Sequence, residues 1–515
     1  MTSTTAPSLN PHHQQHRICR ISRSPVVLLC IALAYSLTIR ILGDADQSTP
    51  VTLRGSSAVD EPDNTAAREA ASAWEPEQQD RVSKFSYDNS RGPVKGGVEI
   101  YPVQPARRPR KAPLPIVPDV AEVEGVLTAW KMPGLYYEGG GEAIKGLYVV
   151  FHGCKHGPLD WFDLPEERAI VHFLVKMGYA VVAPASKDRV SGCWQYNSAD
   201  GDVGSVKAML WRWYRDWSIP PNTPLFLFGV SSGGHMATLL GSQGGFQLCE
   251  KRTTYVQVSG VMSQVSWGVD PINYGMHCPP LAFMPMPKGE PTGGENEVDN
   301  VPSVFGNSRK IPPRISSIAH QVRKSGGKPR MLLLPLGELS IYKGFFSDRV
   351  YEISVKQSAR LHAALLAART LECDPSRLSG GEVECFLNKN PRSTLLPLQT
   401  LVATYEASVR GSDSAPPIPK ESETQTAGDP EDPNERGLAM FQPSAGAYRV
   451  DPLSKGTSDD LVPKAGMTKD HATEVFRELL NVAWGAHEVS ADFVALWEPW
   501  LWASCGNRCR PGPWR

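Results

Sequence analysis

Pro224–Leu240, PLFLFGVSSGGHMATLL, is the stretch on which the reading of this chain turns. Leu225 to Phe228 is an apolar run of buried-strand length, and an apolar helix begins near Ser232. Between them stands Gly229-Val230-Ser231-Ser232-Gly233, a G-x-S-x-G. Set between a strand and a helix, this pattern marks a nucleophile elbow, a strained turn that lifts the serine clear of the sheet. Its neighbours must be small, and Gly229 and Gly233 meet that need, because a Cβ there would strike the opposing backbone. The start of the following helix aims its free N–H groups at the chemistry. The bland alternative is a glycine-rich strand–helix turn with two N-cap serines. The apolar segments on both sides favour the elbow, with Ser231 as nucleophile.

Working outward, the chain from about Asp119 alternates strand and helix patterns. Gly125–Trp130 predicts an early strand, and Lys145–Phe151, KGLYVVF, a buried parallel one. Pro165–Met177 predicts a helix opened by proline, with Glu166 and Glu167 in the first turn and Ile170, Val171, Leu174 and Val175 on one face. Tyr179–Ala183 is the next strand. Val203–Trp217 is a second helix with Val203, Val206, Leu210, Trp213 and Trp217 in one stripe. Tyr255–Val258 and Met331–Leu336 add strands. Such alternation implies a mostly parallel sheet covered by helices on both faces.

A serine at an elbow needs an oxyanion hole, a base and an acid. His152-Gly153-Cys154 follows the first central strand, where one oxyanion N–H is supplied; the other comes from the residue after the nucleophile. The donors are therefore the N–H groups of Ser232 and Cys154, with Gly153 as the alternative to Cys154. The Cys154 thiol is expected to be packed or disulfide-bonded. The base is expected near the C-terminus, and His487, in a tight Gly-Ala turn entering a Trp-rich helix, is best placed. His471, the other late histidine, reads as an exposed first-turn residue of a helix. For the acid, Glu338 in the loop after the Met331–Leu336 strand stands first, followed by Asp348 and then Asp270.

The formal charge of −1 over 515 residues gives no reason to expect nucleic acid or an acidic ligand. The ten cysteines contain no C-x-x-C pair, and Cys505-x-x-x-Cys509 lacks companion ligands, so zinc is not expected; the serine-nucleophile reading itself implies no metal or organic cofactor. Cys278, Cys373 and Cys385 are candidates to staple loops. Residues 1–24 are basic and free of acid, and 25–42 read as a short apolar span. An uncleaved signal-anchor with a lumenal catalytic domain is the first reading; a secretory signal and an organelle (plastid) transit peptide are the alternatives. The chain carries no N-x-S/T sequon, which weighs against long residence in a glycosylating lumen. Residues 43–118 read as a disordered stem, apart from a short strand near Val98–Val103, and 119–370 as the catalytic core. Residues 371–470 read as an insertion, unpacked over 412–435, and 471–515 as a C-terminal helical part.

The elbow, the His-Gly turn and the late histidine, in that order, make the sequence resemble the α/β-hydrolase superfamily. It is more closely similar to a plant and algal branch of hydrolase-like proteins. The residues that carry the closer match are Phe151-His152-Gly153-Cys154, Leu164–Arg168 as LPEER, Gly229–Gly234 as GVSSGG, Phe345–Arg349 as FFSDR and Leu480–Glu488 as LNVAWGAHE. The resemblance implies an eight-stranded, mostly parallel sheet and a Ser–acid–His mechanism on a small-molecule or lipid-like ester. Two departures stand out: no aspartate occupies the usual acid position, and helices flank His487 where a final strand is expected. The rival readings are a non-catalytic binding protein of the same fold and an acyltransferase. Peptide-bond cleavage ranks below ester cleavage, because nothing resembles a peptide-gating domain.

Overall fold

The computed structural model describes residues 97–100, 112–134, 144–196, 201–247, 255–266, 268, 274–275, 277–286, 313–379, 382–391, 394–411, 467–485 and 488–509. All of them fall within one unit, Ala73–Arg515. The sequence-predicted membrane span at 25–42 and the unpacked segment at 412–435 lie outside the described residues. Among the described residues no helix is long and apolar enough to cross a membrane.

The centre of the sheet is β4 (Gly146–Phe151), β5 (Tyr179–Pro184) and β6 (Leu225–Val230), each buried at every position. Strands that are apolar throughout have no solvent face to offer, which suits parallel strands covered on both sides. β2 (Asp119–Val123) and β3 (Val126–Lys131) form a hairpin whose turn, Glu124-Gly125, has positive φ at both residues. On the far side lie β8 (Tyr255–Gln264), β9 (Leu281–Met284), β10 (Met331–Leu333) and β1 (Val98–Ile100). The order across the sheet is β2-β3-β5-β4-β6-β8-β9-β10-β1, with β7 (Gly245–Gln247) paired to β8. Within this sheet, only the β2/β3, β3/β5 and β7/β8 pairs among the described strands are antiparallel.

The period-two geometry of strands sorts the core into two layers. Tyr148, Val150, Phe226 and Phe228 face one layer, together with α1 (Asp160–Asp163), α2 (Pro165–Lys176) and α9 (Val494–Cys505). Leu147, Val149, Phe151, Leu225 and Leu227 face the other, with α3 (Asp202–Asp216) and α5 (Pro313–Lys324). The Tyr148 ring stacks on Phe226 with centroids 4.9 Å apart. In the same layer Tyr179 donates its phenolic proton to the buried Glu498, which also takes Lys145 Nζ at 3.1 Å. The burial of Glu498 is thus compensated by a hydrogen bond and a charge.

Every strand and helix predicted from the sequence within the described residues is present, most to within two residues. Tyr255–Val258 runs on to Gln264, and the Met331–Leu336 strand stops at Leu333, although Leu334 and Leu336 still donate to Phe283 and Pro285 carbonyls. The disordered reading of 43–118 needs correction at its end. β1 pairs in parallel with β10, Trp500 Nε1 donates to Glu99, and Ala112 is buried. The sheet also has ten strands among the described residues, against the eight implied by the resemblance.

The first part of the expected insertion is folded. β11 (Leu371–Ser379) and β12 (Glu382–Leu387) form a separate hairpin crossed by the Cys373–Cys385 disulfide. α7 (Leu396–Val409) shares the main core with α6 (Val355–Ala367) and α8 (Lys469–Trp484). Cys505 and Cys509 form a second disulfide, and Cys278 is in none among the described residues. As read from the sequence, α8 and not a strand precedes His487.

Candidate active site

Ser231 lies between β6 and α4 (Ser232–Ser242) with φ 54° and ψ −119°, a conformation strained for any residue with a Cβ. Two backbone bonds hold it: its N–H donates to Gln264 O at 3.0 Å, and its carbonyl accepts from His235 N–H at 3.2 Å. The flanking glycines are required by contact. A Cβ on Gly229 would lie 2.0 Å from Gly233 O, and one on Gly233 would lie 2.3 Å from Phe151 O and 2.5 Å from His152 O. The elbow thus touches the end of β4 backbone to backbone.

That contact places the expected oxyanion loop. A Cβ on Gly153 would be 3.6 Å from Ser231 Cβ and 3.8 Å from His156 Cδ2. His152 is buried, and its ring fixes the loop. Nδ1 is 2.8 Å from Gly153 O and donates to it, so Nε2 is free to accept the Ser186 N–H at 3.2 Å. This is the neutral tautomer, and burial, outweighing the bond to the Gly153 carbonyl, lowers the His152 pKa to about 4. Cys154 is disulfide-bonded to Cys193 in the loop after β5. Its thiol is therefore tied up, and only its backbone is available to a reaction.

His156 is a residue that the sequence reading passed over. Its Nδ1 lies 3.1 Å from Asp160 Oδ2, and the same oxygen accepts the Gly157 N–H at 2.9 Å. Burial pulls the imidazole pKa down, but the bond and charge of Asp160, with Glu488 and Glu474 beyond, carry it to about 9. A positive charge therefore stands beside Gly153 at neutral pH. The i, i+4 spacing of His156 and Asp160 was the available signal.

His487 lies outside the described residues, as does Asp270. The chain on either side of 486–487 is described. Before it, Gly485 is left-handed (φ 71°); a Cβ there would lie 3.3 Å from Gly337 C, and Leu339 N–H donates to Ala483 O. After it, Ser490 exchanges two hydrogen bonds with the Gln264 side chain, each 3.0 Å. Gln264 is the residue whose carbonyl holds the Ser231 N–H. Both flanks are thus fixed at the C-terminal ends of strands, one at β10 and the other at β8, the strand next to the elbow strand. Glu338 is exposed. Asp348 is 8% exposed and accepts from the Tyr342 hydroxyl at 2.7 Å.

Beneath this region runs a belt of buried charge. Arg349 donates to Glu166 Oε1 at 2.7 Å and forks onto both oxygens of Asp492 at 3.1 Å. Arg168 makes a two-pronged fork onto Glu352, donating from Nη1 to Oε1 at 3.0 Å and from Nη2 to Oε2 at 3.1 Å. Burial acts against the Arg349 charge, but Asp492 and Glu166 outweigh it and raise its pKa. Among the described residues no arginine or lysine pairs with Glu167 or Glu478, which share a hydrogen bond with each other instead. Burial, together with nearby carboxylates (Glu488 for Glu167, Glu167 for Glu478), raises both well above the usual carboxylate range. A raised folded-state pKa means tighter proton binding in the native state. The associated stability is full below the unfolded pKa and is lost as pH rises through the folded one. Glu167→Gln is therefore expected to raise the melting temperature at pH 8 by a few degrees, on the order of 1 kcal/mol, with the gain vanishing near pH 4. Calorimetry at the two pH values checks this, and an equal gap at both would count against it.

No protein-family model matches the chain. No curated protein matches it either. Solved structures that resemble it include an acetyl ester-xyloside bifunctional hydrolase from Caldicellulosiruptor lactoaceticus (13% identity, 47% of this chain and 88% of that one, TM-score 0.29). Others are a carboxylesterase, itself described as putative, from Lactobacillus plantarum (10%, 42% and 86%, 0.29) and an α/β serine hydrolase without a lid from Xanthomonas campestris (12%, 44% and 86%, 0.25). At these scores the likenesses carry no weight for activity. Strand order and elbow decide the fold, with antiparallel β2 and β3 leading into a parallel sheet in which β4 lies between β5 and β6. This arrangement is consistent with an α/β-hydrolase fold. Among the described residues no cluster of His, Cys, Asp or Glu is arranged to hold a metal.

Proposed function

We propose that this chain is a serine hydrolase that cleaves an ester-type acyl bond. The observation that carries this reading is the strained Ser231, pressed against the Gly153 loop and bonded through Gln264 to the segment that follows His487. Ser231 Oγ attacks the acyl carbonyl. His487 takes the serine proton and returns it to the leaving alcohol; water then repeats the sequence on the acyl-enzyme. The N–H groups of Ser232 and Cys154, or Gly153, receive the oxyanion, with each donor contributing about 3 kcal/mol to transition-state stabilisation.

For the acid, Asp348 now takes precedence over Glu338. A buried carboxylate held by a tyrosine hydroxyl keeps a fixed direction and a strong field, whereas an exposed one is screened. The substrate is a small-molecule or lipid-like ester, and single-pass membrane attachment through residues 25–42 with a lumenal domain is part of the same proposal.

The test is labelling of the purified protein with a fluorophosphonate, followed by peptide mapping. Stoichiometric modification at Ser231 is expected, since an unactivated serine does not react. A folded protein that never labels would sink the enzyme reading and leave a binding protein of the same fold. Product analysis with an added alcohol separates hydrolysis from acyl transfer.

A further inference from the structure

Resting on the hydrolase reading above, we propose that Cys193 and Trp194 are positioning residues, which make the loop after β5 a brace for the oxyanion loop after β4. Four links join the two loops. The Cys154–Cys193 disulfide spans 39 residues of sequence. Lys155 N–H donates to Ser191 O at 2.6 Å, Trp194 Nε1–H to His152 O at 2.8 Å, and Ser186 N–H to His152 Nε2 at 3.2 Å. They fall on three of the four residues from His152 to Lys155, and Gly153 is held from within by His152 Nδ1.

The brace is itself anchored. The buried Asp202 carboxylate, in the first turn of α3, accepts Lys187 N–H at 2.7 Å on one oxygen and Gln195 N–H at 2.6 Å on the other. It thereby closes both ends of the loop onto a helix N-terminus. Inside the loop Asp188 accepts the Val190 and Ser191 N–H groups, each at 3.0 Å. A load path therefore runs from α3 through residues 187–195 to the backbone of Cys154.

The chemistry explains why such a brace matters. An oxyanion donor acts only if its N–H is already aimed where charge develops, because reorienting it during reaction forfeits the gain. Lys155 has φ 66°, so the loop turns sharply just past Cys154 and would not keep that shape unaided. Holding it from outside keeps the Cys154 amide in place without burying the serine. The brace is thus expected to act on kcat and to leave ground-state binding nearly untouched.

The test compares Cys193→Ser, Trp194→Phe and, as a control, Cys373→Ser, which opens the hairpin disulfide away from the elbow. Cys193→Ser is expected to lower kcat for a short aryl ester about 10–100-fold with KM within about 3-fold. Affinity for a boronic acid, which mimics the tetrahedral state, should fall in step. Trp194→Phe keeps the disulfide and is expected to lower kcat about 3–10-fold; Cys373→Ser should leave it unchanged. A Cys193→Ser enzyme with kcat within twofold of wild type, or a loss matched by Cys373→Ser, overturns the proposal. If Cys193→Ser does not fold, an unchanged kcat in Trp194→Phe overturns it. A wild type that neither labels nor hydrolyses removes the hydrolase reading and the brace together, whereas a labelling wild type with unaffected variants removes the brace alone.

Discussion

Ser231→Ala is expected to lower kcat/KM for a short aryl ester by about 10⁴–10⁶-fold, with His487→Ala close behind and the double variant no worse than the single ones. Nucleophile and base act as one unit, so removing either leaves only the oxyanion donors and binding. The fold should not suffer. Ser231 is held by its backbone, through Gln264 O and His235 N–H, and the substitution keeps both bonds. Alanine, like serine, tolerates φ 54° only under constraint, so the strain persists unchanged. Steady-state kinetics with melting curves on the same preparations make the measurement. Residual activity above about 1% in Ser231→Ala would show that the nucleophile lies elsewhere.

Gly229→Ala is expected to cost about 4 kcal/mol or more, a fall of about 10 °C or more in melting temperature or a failure to fold. The added methyl would lie 2.0 Å from Gly233 O, 2.3 Å from Gly233 C and 2.7 Å from Gly234 N. All three are backbone atoms in the first turn of α4, so relief requires lifting that turn off β6. Gly153→Ala is the informative contrast. Its methyl would meet Ser231 Cβ at 3.6 Å and His156 Cδ2 at 3.8 Å, ordinary packing distances. It should melt within about 2 °C of wild type while crowding the space where an acyl group approaches. Equal losses of stability in the two variants would contradict the contacts described for the elbow.

The glycines on either side of Ser231 also show which parts of the site were legible in the sequence. Gly229 and Gly233 were readable because a local turn dictates them, and local rules survive folding. The central strands were readable for the same reason: a strand buried on both faces is apolar at each position, as β4, β5 and β6 are. Partnerships across hundreds of residues were not. Nothing near Gln264 announces that its side chain will bond Ser490, 226 residues on, while its carbonyl holds the nucleophile. The choice of acid is hard to read from sequence for a related reason. Glu338 was ranked first by its distance from a strand, yet exposure separates it from Asp348, and exposure depends on what packs above. β1 was legible as a short strand near Val98–Val103, but its pairing with β10, more than 200 residues on, was not.

The LPEER and FFSDR segments, which carried the resemblance without a role, meet in the buried charge belt. Arg349 of the second joins Glu166 of the first to Asp492 near the end of the chain. During synthesis this sets an order of events. The ribosome releases Glu166 and Arg349 long before Asp492, and until then the Glu166–Arg349 pair lacks its second carboxylate and the open side of the guanidinium is left to water or a chaperone. The elbow strand and its oxyanion loop can pair early, since β4, β5 and β6 are complete by residue 230. The segment 488–492 that locks both Gln264 and Arg349 arrives last. The nascent chain therefore has Ser231 set in its turn before residues 488–492 emerge, and the region around Gln264 and Arg349 is fastened only after they do.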